Sequence, residues 1–456
     1  MKLRERAPKH NVSGPHREIS ASETLQRITP YLRTFGITRV ADITWLDRVG
    51  IPVYNAIIPR SNDILSVYNG KGVTAADARA SAVMEAAERF CAWQPRPPEV
   101  IASYAEMAAR GRAVMDPEAY NLEPNKRYHR DLPISWVRGF DLASGDSVYI
   151  PLCLAGYYTR FHEAPCYRIS TANGIASGNS LEEAVCHALC EVIERDDWTM
   201  AELISNRLKR VIKQKMSHAA PPGTPIWLED LHPVIDVATL PPWLQRYAEM
   251  FEKAGTRLVL RNITSPTGIP SVAAMVSEDV ADTFAGAHGG YAAHPDAEVA
   301  VMRALAEVAQ SRAVDIQGMR EDLSLPDEKV NSWNAHAHRS ADINLSEWPF
   351  GECGNPVSFA DLPSHPSDDI VADIRLMVDK LRARGLSRVI VVDLSVPGLP
   401  VRVARVIVPE MESWGLDQSK LGRRAAERWD AVLKTMIARR DRHLADQRQP
   451  HEQKER

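Results

Sequence analysis

The sequence predicts strands interleaved with helices, an α/β or α+β chain, and three observations carry that expectation. One helical pattern is written three times without a gap, at residues 74–89 (TAADARASAVMEAAER), 180–195 (SLEEAVCHALCEVIER) and 296–311 (DAEVAVMRALAEVAQS). Short apolar runs bounded by glycine and proline stand upstream of each copy and read as strands. The 456 residues, 45% hydrophobic and 25% charged, suffice for a large core and more than one subdomain.

In chain order, a basic leader precedes a helix over 22–35 and an apolar strand over 50–59. Residues 66–68 form a short strand that feeds a GKG turn and the first repeated helix. The stretch RDLPISWVRGFDLASGDSVYI carries hairpin-like turns into a strand at 148–154, and 166–170 reads as another strand before the second helix. An insert over 229–260 holds a helix near 243–254 and a strand at 257–260. Residues 271–277 form a strand before an AHGGYAAHP loop and the third helix. Weak periodicity and many Ser, Pro, Asp and His residues make 323–368 irregular. A helix over 369–383 and apolar strands at 387–394 and 400–407 follow, and the charged tail after Leu421 is a helix that frays.

Each repeated helix opens on an N-cap, Thr74, Ser180 or Asp296, and Asp77 and Glu183 follow the first two at capping-box spacing. At about 100° per residue, Ser81, Glu85 and Glu88 share one face of the first helix within roughly 60°. Glu183, His187, Glu191 and Glu194 cover about 80° of the second, and Arg303, Glu307 and Gln310 about 60° of the third. Most charge runs on helices are solvated faces. Here the remaining positions are dominated by Ala, Val, Leu, Met and Ile, so the helices read as largely buried and their polar stripes as a site rather than a solvated face. Buried carboxylates cost several kcal/mol each unless paired or metal-bound, and like charges one turn apart repel. A hard divalent cation such as Mg²⁺ suits Glu85, Glu88, Glu183, Glu191 and Glu194, while Arg89, Arg195 and Arg303 supply the protein's own positive charge.

The segments SAVMEAAER, GNSLEEAVCHALCEVIERD and RALAEVAQSR resemble, in order and separation, the three nucleotide-site motifs of the YcaO family. The resemblance spans roughly 16–414. It implies an α+β YcaO-like fold, mixed sheets packed with helices, whose ATP site is formed by the three polar-striped helices. It also implies that ATP is bound without a P-loop, through Mg²⁺ on helical glutamates, and activates a peptide amide oxygen. HREISASETL, ITRVADITWLDRVGIPVYNAIIP, STANGIASGNS and VRVARVIVPEMESW resemble the branch that works with a TfuA partner and converts a peptide amide to a thioamide. The tail QRQPHEQKER lacks the PxPxP ending usual in azoline-forming members, which supports that branch. Cyclodehydration of Cys, Ser or Thr in a ribosomal peptide (RiPP biosynthesis) is the alternative.

By the same resemblance, Ser177, Asn179 and Asn173 lie at nucleotide-contacting positions, joined by Ser81, Arg89 and Gln310. Lys71 stands before a helix N-terminus, where anions are favoured, and reaches for phosphate. Arg195 and Arg303 balance developing charge, Glu307 holds Arg303, and His187 is a phosphate contact or a packing histidine. His16 and Arg17 match a TfuA-type leader motif. The expected organisation is 1–65 packed on the catalytic domain, 66–414 the ATP-dependent domain and 415–456 a charged tail. Expected partners are a peptide or protein substrate, a TfuA-like protein, a sulfide donor and a second copy of the chain.

Net charge near −4 gives no basic footprint for nucleic acid, no run of about 20 apolar residues spans a membrane, and MKLRERAPKH lacks a signal core. The cytoplasm is the default compartment. The six cysteines are too scattered for a disulfide framework or a zinc knuckle; Cys186 and Cys190, one turn apart, read as small buried residues. A di-iron oxidase would need Glu-x-x-His where the chain has Glu-x-x-x-His, and a non-catalytic peptide scaffold would not retain three polar stripes.

Overall fold

The computed structural model describes residues 3–11, 14, 16–61, 65–157, 166–168, 170–208, 211, 231–279, 285–318, 348–350, 355–413 and 420–452. Its helices are α1 (Ala21–Ile28), α2 (Ala75–Ala92), α3 (Tyr104–Ala109), α4 (Leu152–Ala155), α5 (Leu181–Glu202), α6 (Pro242–Lys253), α7 (Ala297–Gly318), α8 (Ile370–Ala383) and α9 (Arg423–Glu452). The strands form three antiparallel sheets. The first runs β1 (Arg39–Asp42), β2 (Val53–Ile57), β3 (Val67–Lys71). The second runs β10 (Ala285–Ala293), β9 (Ser271–Asp279), β8 (Arg257–Asn262). The third runs β4 (Val100–Ala102), β5 (Ile134–Asp141), β11 (Ile390–Asp393), β12 (Arg402–Ile407), β7 (Ile175–Gly178), with β6 (Ser147–Pro151) also on β5. Separate antiparallel sheets, each carrying helices, make the fold α+β.

Each repeated helix lies on its own sheet: α2 on β2 and β3, α5 on β7 and β12, α7 on β9 and β10. Each also touches the feeder strand of another: α2 meets β7, α5 meets β10 and α7 meets β3. The three strand–helix units therefore close a ring, and their shared faces turn inward. Small residues permit the approach: Ala78, Ala184 and Ala300, and one turn on Ala82, Ala188 and Ala304, are all fully buried. Opposite them the strands carry glycine. A Cβ on Gly70 would lie 2.0 Å from the Ala82 nitrogen, and one on Gly290 2.4 Å from the Ala304 oxygen. One on Gly178 would lie 2.6 Å from the Ala184 nitrogen.

These glycines explain where sequence patterning misreads the chain. Gly70 and Lys71 belong to β3 rather than to a turn, AHGGYAAHP is mostly strand β10, and GIASGNS is strand β7 up to Gly178. Glycine marks close backbone approach in all three, where loop composition suggested flexibility. Among the described residues of 166–170 no strand forms; Tyr167 makes an isolated bridge to Pro124. The helix expected over 22–35 stops at Ile28 and tightens to a 3₁₀ turn at Thr29–Tyr31, because Pro30 has no N–H to continue the ladder. Likewise β6 ends at Pro151 and Leu152–Ala155 coil into α4. The hairpin β5–β6, α6, β8, β9, α8, β11, β12 and the helical tail form where expected, within a few residues. Most of 323–368, with Cys353, lies outside the described residues. Among the described residues, no helix is long and apolar enough to cross a membrane.

Candidate active site

The ring brings the three stripes together. Position for position, Ser81, His187 and Arg303 are equivalent, as are Glu85, Glu191 and Glu307, and Glu88, Glu194 and Gln310. Lys71, at the end of β3, donates to Glu307 at 2.6 Å, and Arg303 lies 2.5 Å from His187 Nε2. On α5, Arg195 lies 3.5 Å from Glu194 and 3.8 Å from Glu191; on α2, Arg89 lies 3.9 Å from Glu88. The expected hold of Glu307 on Arg303 gives way to the Lys71 pair, because β3 crosses α7 and delivers an ammonium to Glu307.

Burial sets the protonation of this cluster. It pushes the Glu85 and Glu88 carboxyls up, against the opposing pull of Arg89. Glu194 is pushed up to about 8, by burial first and then by Glu307 and Glu191, with Arg195 and Arg303 opposing. Glu307 is also raised by burial, yet Lys71 and Arg195 outweigh it and hold its carboxyl below the usual range. Burial, then Arg303, Arg17 and Lys71, hold His187 well below its ordinary value, so the ring is neutral. Both ring nitrogens face donor-only guanidiniums, Nε2 toward Arg303 at 2.5 Å and Nδ1 toward Arg17 at 3.5 Å, and a neutral imidazole can accept from one of them. Two guanidiniums thus converge on a neutral ring where an anion is suited, beside carboxylates that suit a metal cation.

Glu183 is organised differently from the other acids. Ser180 caps α5, but Glu183 does not return to the cap nitrogen as a capping box requires. Its oxygens accept from Asn179 N at 2.6 Å, Asn179 Nδ2 at 3.1 Å and Glu18 N at 2.5 Å. Ser177 donates to the Met84 carbonyl at 3.1 Å and ties β7 to α2. The buried Asn173 Oδ1 has no hydrogen-bond partner among the described residues. Ser81 and Gln310 are half-buried, one turn before Glu85 and nearly one turn after Glu307. Tyr157 lies over Arg89 at 5.3 Å.

The N-terminal arm is what sequence reasoning missed. Arg4 binds Glu182 through its backbone N–H and its guanidinium and also pairs with Glu18, while Ser180 donates to Glu18 at 2.6 Å. Lys9 is buried against Asp373 at 2.6 Å. His16 packs edge-on to His294 at 5.0 Å, which leads into α7. His16, His294 and Asp373 bring ligand atoms within 4.8 Å of one another, but the Lys9 ammonium already supplies the cation there. Only the basic character of the leader hinted at these acids, because pairings across such separations leave no local pattern.

A family model described as "YcaO cyclodehydratase, ATP-ad Mg2+-binding" matches residues 69–412, from β3 through all three striped helices. The chain belongs to the YcaO family. It is an ATP-dependent enzyme of YcaO type, a family whose cofactors are ATP and Mg²⁺. An uncharacterised Methanothermobacter thermautotrophicus protein is 33% identical over 89% of this YcaO chain and 97% of its own. A Rhizobium leguminosarum bv. trifolii protein, described as uncharacterised and in the tfuA 3′ region, is 34% identical over 87% of this chain and 88% of its own. Among solved structures, YcaO from Methanopyrus kandleri, bound with AMPPCP and Mg²⁺, superposes at TM-score 0.63 with 26% identity, over 89% of this chain and 95% of that one. A heterocyclase in complex with substrate and cofactor shares the fold at TM-score 0.71 and 23% identity, over 90% of this chain; this YcaO chain spans 54% of that protein's length.

Proposed function

We propose that this protein uses ATP to activate a backbone amide of a peptide or protein for conversion to a thioamide, with a TfuA-like partner and a sulfide donor. The carrying observation is the set of carboxylates on α2 and α5, with Glu85, Glu88 and Glu194 raised toward protonation by burial, beside the Arg17–His187–Arg303 group. Glu85, Glu88 and Glu194, raised by burial, would release their protons to a divalent cation, and with Glu191 they would hold Mg²⁺ by one or two carboxylates per ion, the phosphates supplying the remaining oxygens. Glu183 joins them through the acceptor capacity its three N–H contacts leave. Bound Mg²⁺ supplies charge neutralisation for the phosphates and makes the γ-phosphorus a better electrophile. Lys71, fixed by Glu307, together with Arg89 holds the phosphates. Asn173 Oδ1 offers its unused acceptor to the nucleoside, beside Ser81, Ser177, Asn179 and Gln310.

Phosphoryl transfer of this kind is mostly positioning and charge neutralisation. Sulfide adds to the amide carbon, and the resulting oxyanion takes the γ-phosphoryl group as ADP leaves. Expulsion of phosphate from the same carbon leaves C=S. Arg195 and Arg303 balance the charge that develops, and the neutral His187, set between Arg303 and Arg17, positions these guanidiniums. The thioamide branch is supported by the tfuA neighbourhood of a full-length relative. Azoline formation is the second reading, favoured by the family description and by the heterocyclase likeness in fold.

Calorimetric titration of ATP with and without Mg²⁺, on wild type and Glu191→Gln, tests the site. Metal-dependent binding that the variant loses is expected; equal binding by both removes the carboxylates from the metal role. Product mass tests the chemistry: exchange of oxygen for sulfur raises peptide mass, whereas azoline formation lowers it by one water. A peptide that gains no mass while ATP is consumed overturns the thioamide reading.

A further inference from the structure

Two thiols touch beside α2. Cys153 on α4 and Cys166 bring their sulfurs to 3.1 Å, with Cys153 partly exposed and Cys166 buried. A disulfide needs about 2.05 Å, so an approach of roughly 1 Å closes the bond. The other described cysteines are placed differently. Cys186 and Cys190 are both buried at helical i,i+4 spacing, where Cβ atoms stand about 5–6 Å apart, beyond the roughly 3.5–4.5 Å of a disulfide; their thiols share a hydrogen bond that, with burial, holds Cys186 well above its ordinary value and unreactive. The Cys190 sulfur contacts Met377 Sδ at 3.7 Å. Cys91 is buried, and burial pushes its thiol up to about 12, which leaves it unreactive near neutral pH.

We propose that Cys153 and Cys166 are a redox-active dithiol, a reversible modification site that exchanges with small-molecule disulfides of the glutathione class. The partly exposed Cys153, as its thiolate, attacks one sulfur of the reagent; the reagent's S–S bond breaks and one thiolate leaves. Cys166, its proton taken by solvent, attacks the Cys153 sulfur of the mixed disulfide and expels the second thiolate. The pair gives up two electrons and two protons, and the reagent becomes two thiols. The site adjoins the nucleotide cluster: four residues after Cys153, the Tyr157 N–H donates to the Ala92 carbonyl at 3.0 Å and its ring covers Arg89. Closure therefore fastens α4 beside the wall of α2 that carries Glu85 and Glu88.

The test needs no substrate and does not depend on the proposed reaction. Full-length protein is equilibrated in buffers of reduced and oxidised glutathione, alkylated and mapped by peptide mass. The expected product is a Cys153–Cys166 link that dithiothreitol removes, with Cys186 and Cys190 unlinked to each other. Cys166→Ser should trap glutathione on Cys153, and Cys153→Ser should react at least about tenfold more slowly because its remaining thiol is buried. No link in folded wild type at any buffer composition, or a link through other cysteines, overturns the proposal. Should Cys166→Ser fail to fold, Cys166→Ala takes its place, and the wild-type map decides alone.

Discussion

Glu194→Gln tests the metal site through stability. Glu194 is buried on α5, its nearest cation is Arg195 at 3.5 Å, and its carboxyl is raised from 4.5 to about 8, chiefly by burial. A carboxyl whose folded value exceeds its unfolded one binds its proton more tightly when folded. Its stabilisation is complete below pH 4.5 and is lost as pH rises through about 8. The gap corresponds to a ceiling of roughly 5 kcal/mol, which relaxation and water entry reduce to about 1–3 kcal/mol. Gln preserves the shape without the charge. At pH 8 with chelator, Glu194→Gln should unfold at higher urea than wild type by that margin, and at pH 4.5 the two should nearly coincide. Mg²⁺ with a non-hydrolysable ATP analogue at a hundred times Kd should add about 2.7 kcal/mol to wild type and little to the variant. Urea melts at both pH values, with and without metal, are the assay. A variant less stable than wild type at pH 8 without metal would make Glu194 a structural partner of Arg195. A full Mg²⁺-dependent gain in the variant would refute its role as a ligand.

Gly70→Ala places a Cβ 2.0 Å from the Ala82 nitrogen and 2.3 Å from the Ala78 oxygen, both backbone, so a loss of about 3 kcal/mol or more is expected in urea melts. Lys9→Met strands the buried Asp373 carboxylate and should cost about 3–5 kcal/mol, most of it recovered in Lys9→Met with Asp373→Asn; purely additive losses would contradict the pairing. His187 should stay neutral down to pH 5.5 in ¹⁵N spectra, and a ring that charges near 6.5 would show that it is not buried between Arg303 and Arg17.

The site was legible because helical periodicity is local. Spacing alone put Glu85 with Glu88, and His187 with Glu191 and Glu194, on single faces, and the repeat made those faces equivalent. What periodicity cannot state is which element lies opposite. The Lys71–Glu307 pair, the Arg303–His187 contact and the Glu183 bonds to Glu18 and Asn179 each depend on strand–helix crossings or on the arm. Strands β7 and β10 were hidden for a related reason: the glycines that let a strand press on a helix carry the same composition as a loop.

The ring also explains how a threefold pattern yields a directional site. Its Glu85, Glu191 and Glu307 positions are alike, and asymmetry lies one turn to either side. Toward the N-termini stand Ser81, neutral His187 and cationic Arg303; toward the C-termini stand Glu88, Glu194 and neutral Gln310. The stripes of α2 and α5 thus carry two and three acids with no compensating cation on the stripe, whereas on α7 Arg303 offsets Glu307 and Lys71 adds a further charge from β3. On the proposed reading, metal ions would be held between α2 and α5, and phosphate oxygens would be drawn toward α7. A nucleotide bridging the two would lie across the ring with its transferable phosphoryl group near Arg303 and His187. Three helices that were fully alike would bind cations in the middle and give the phosphate no preferred side.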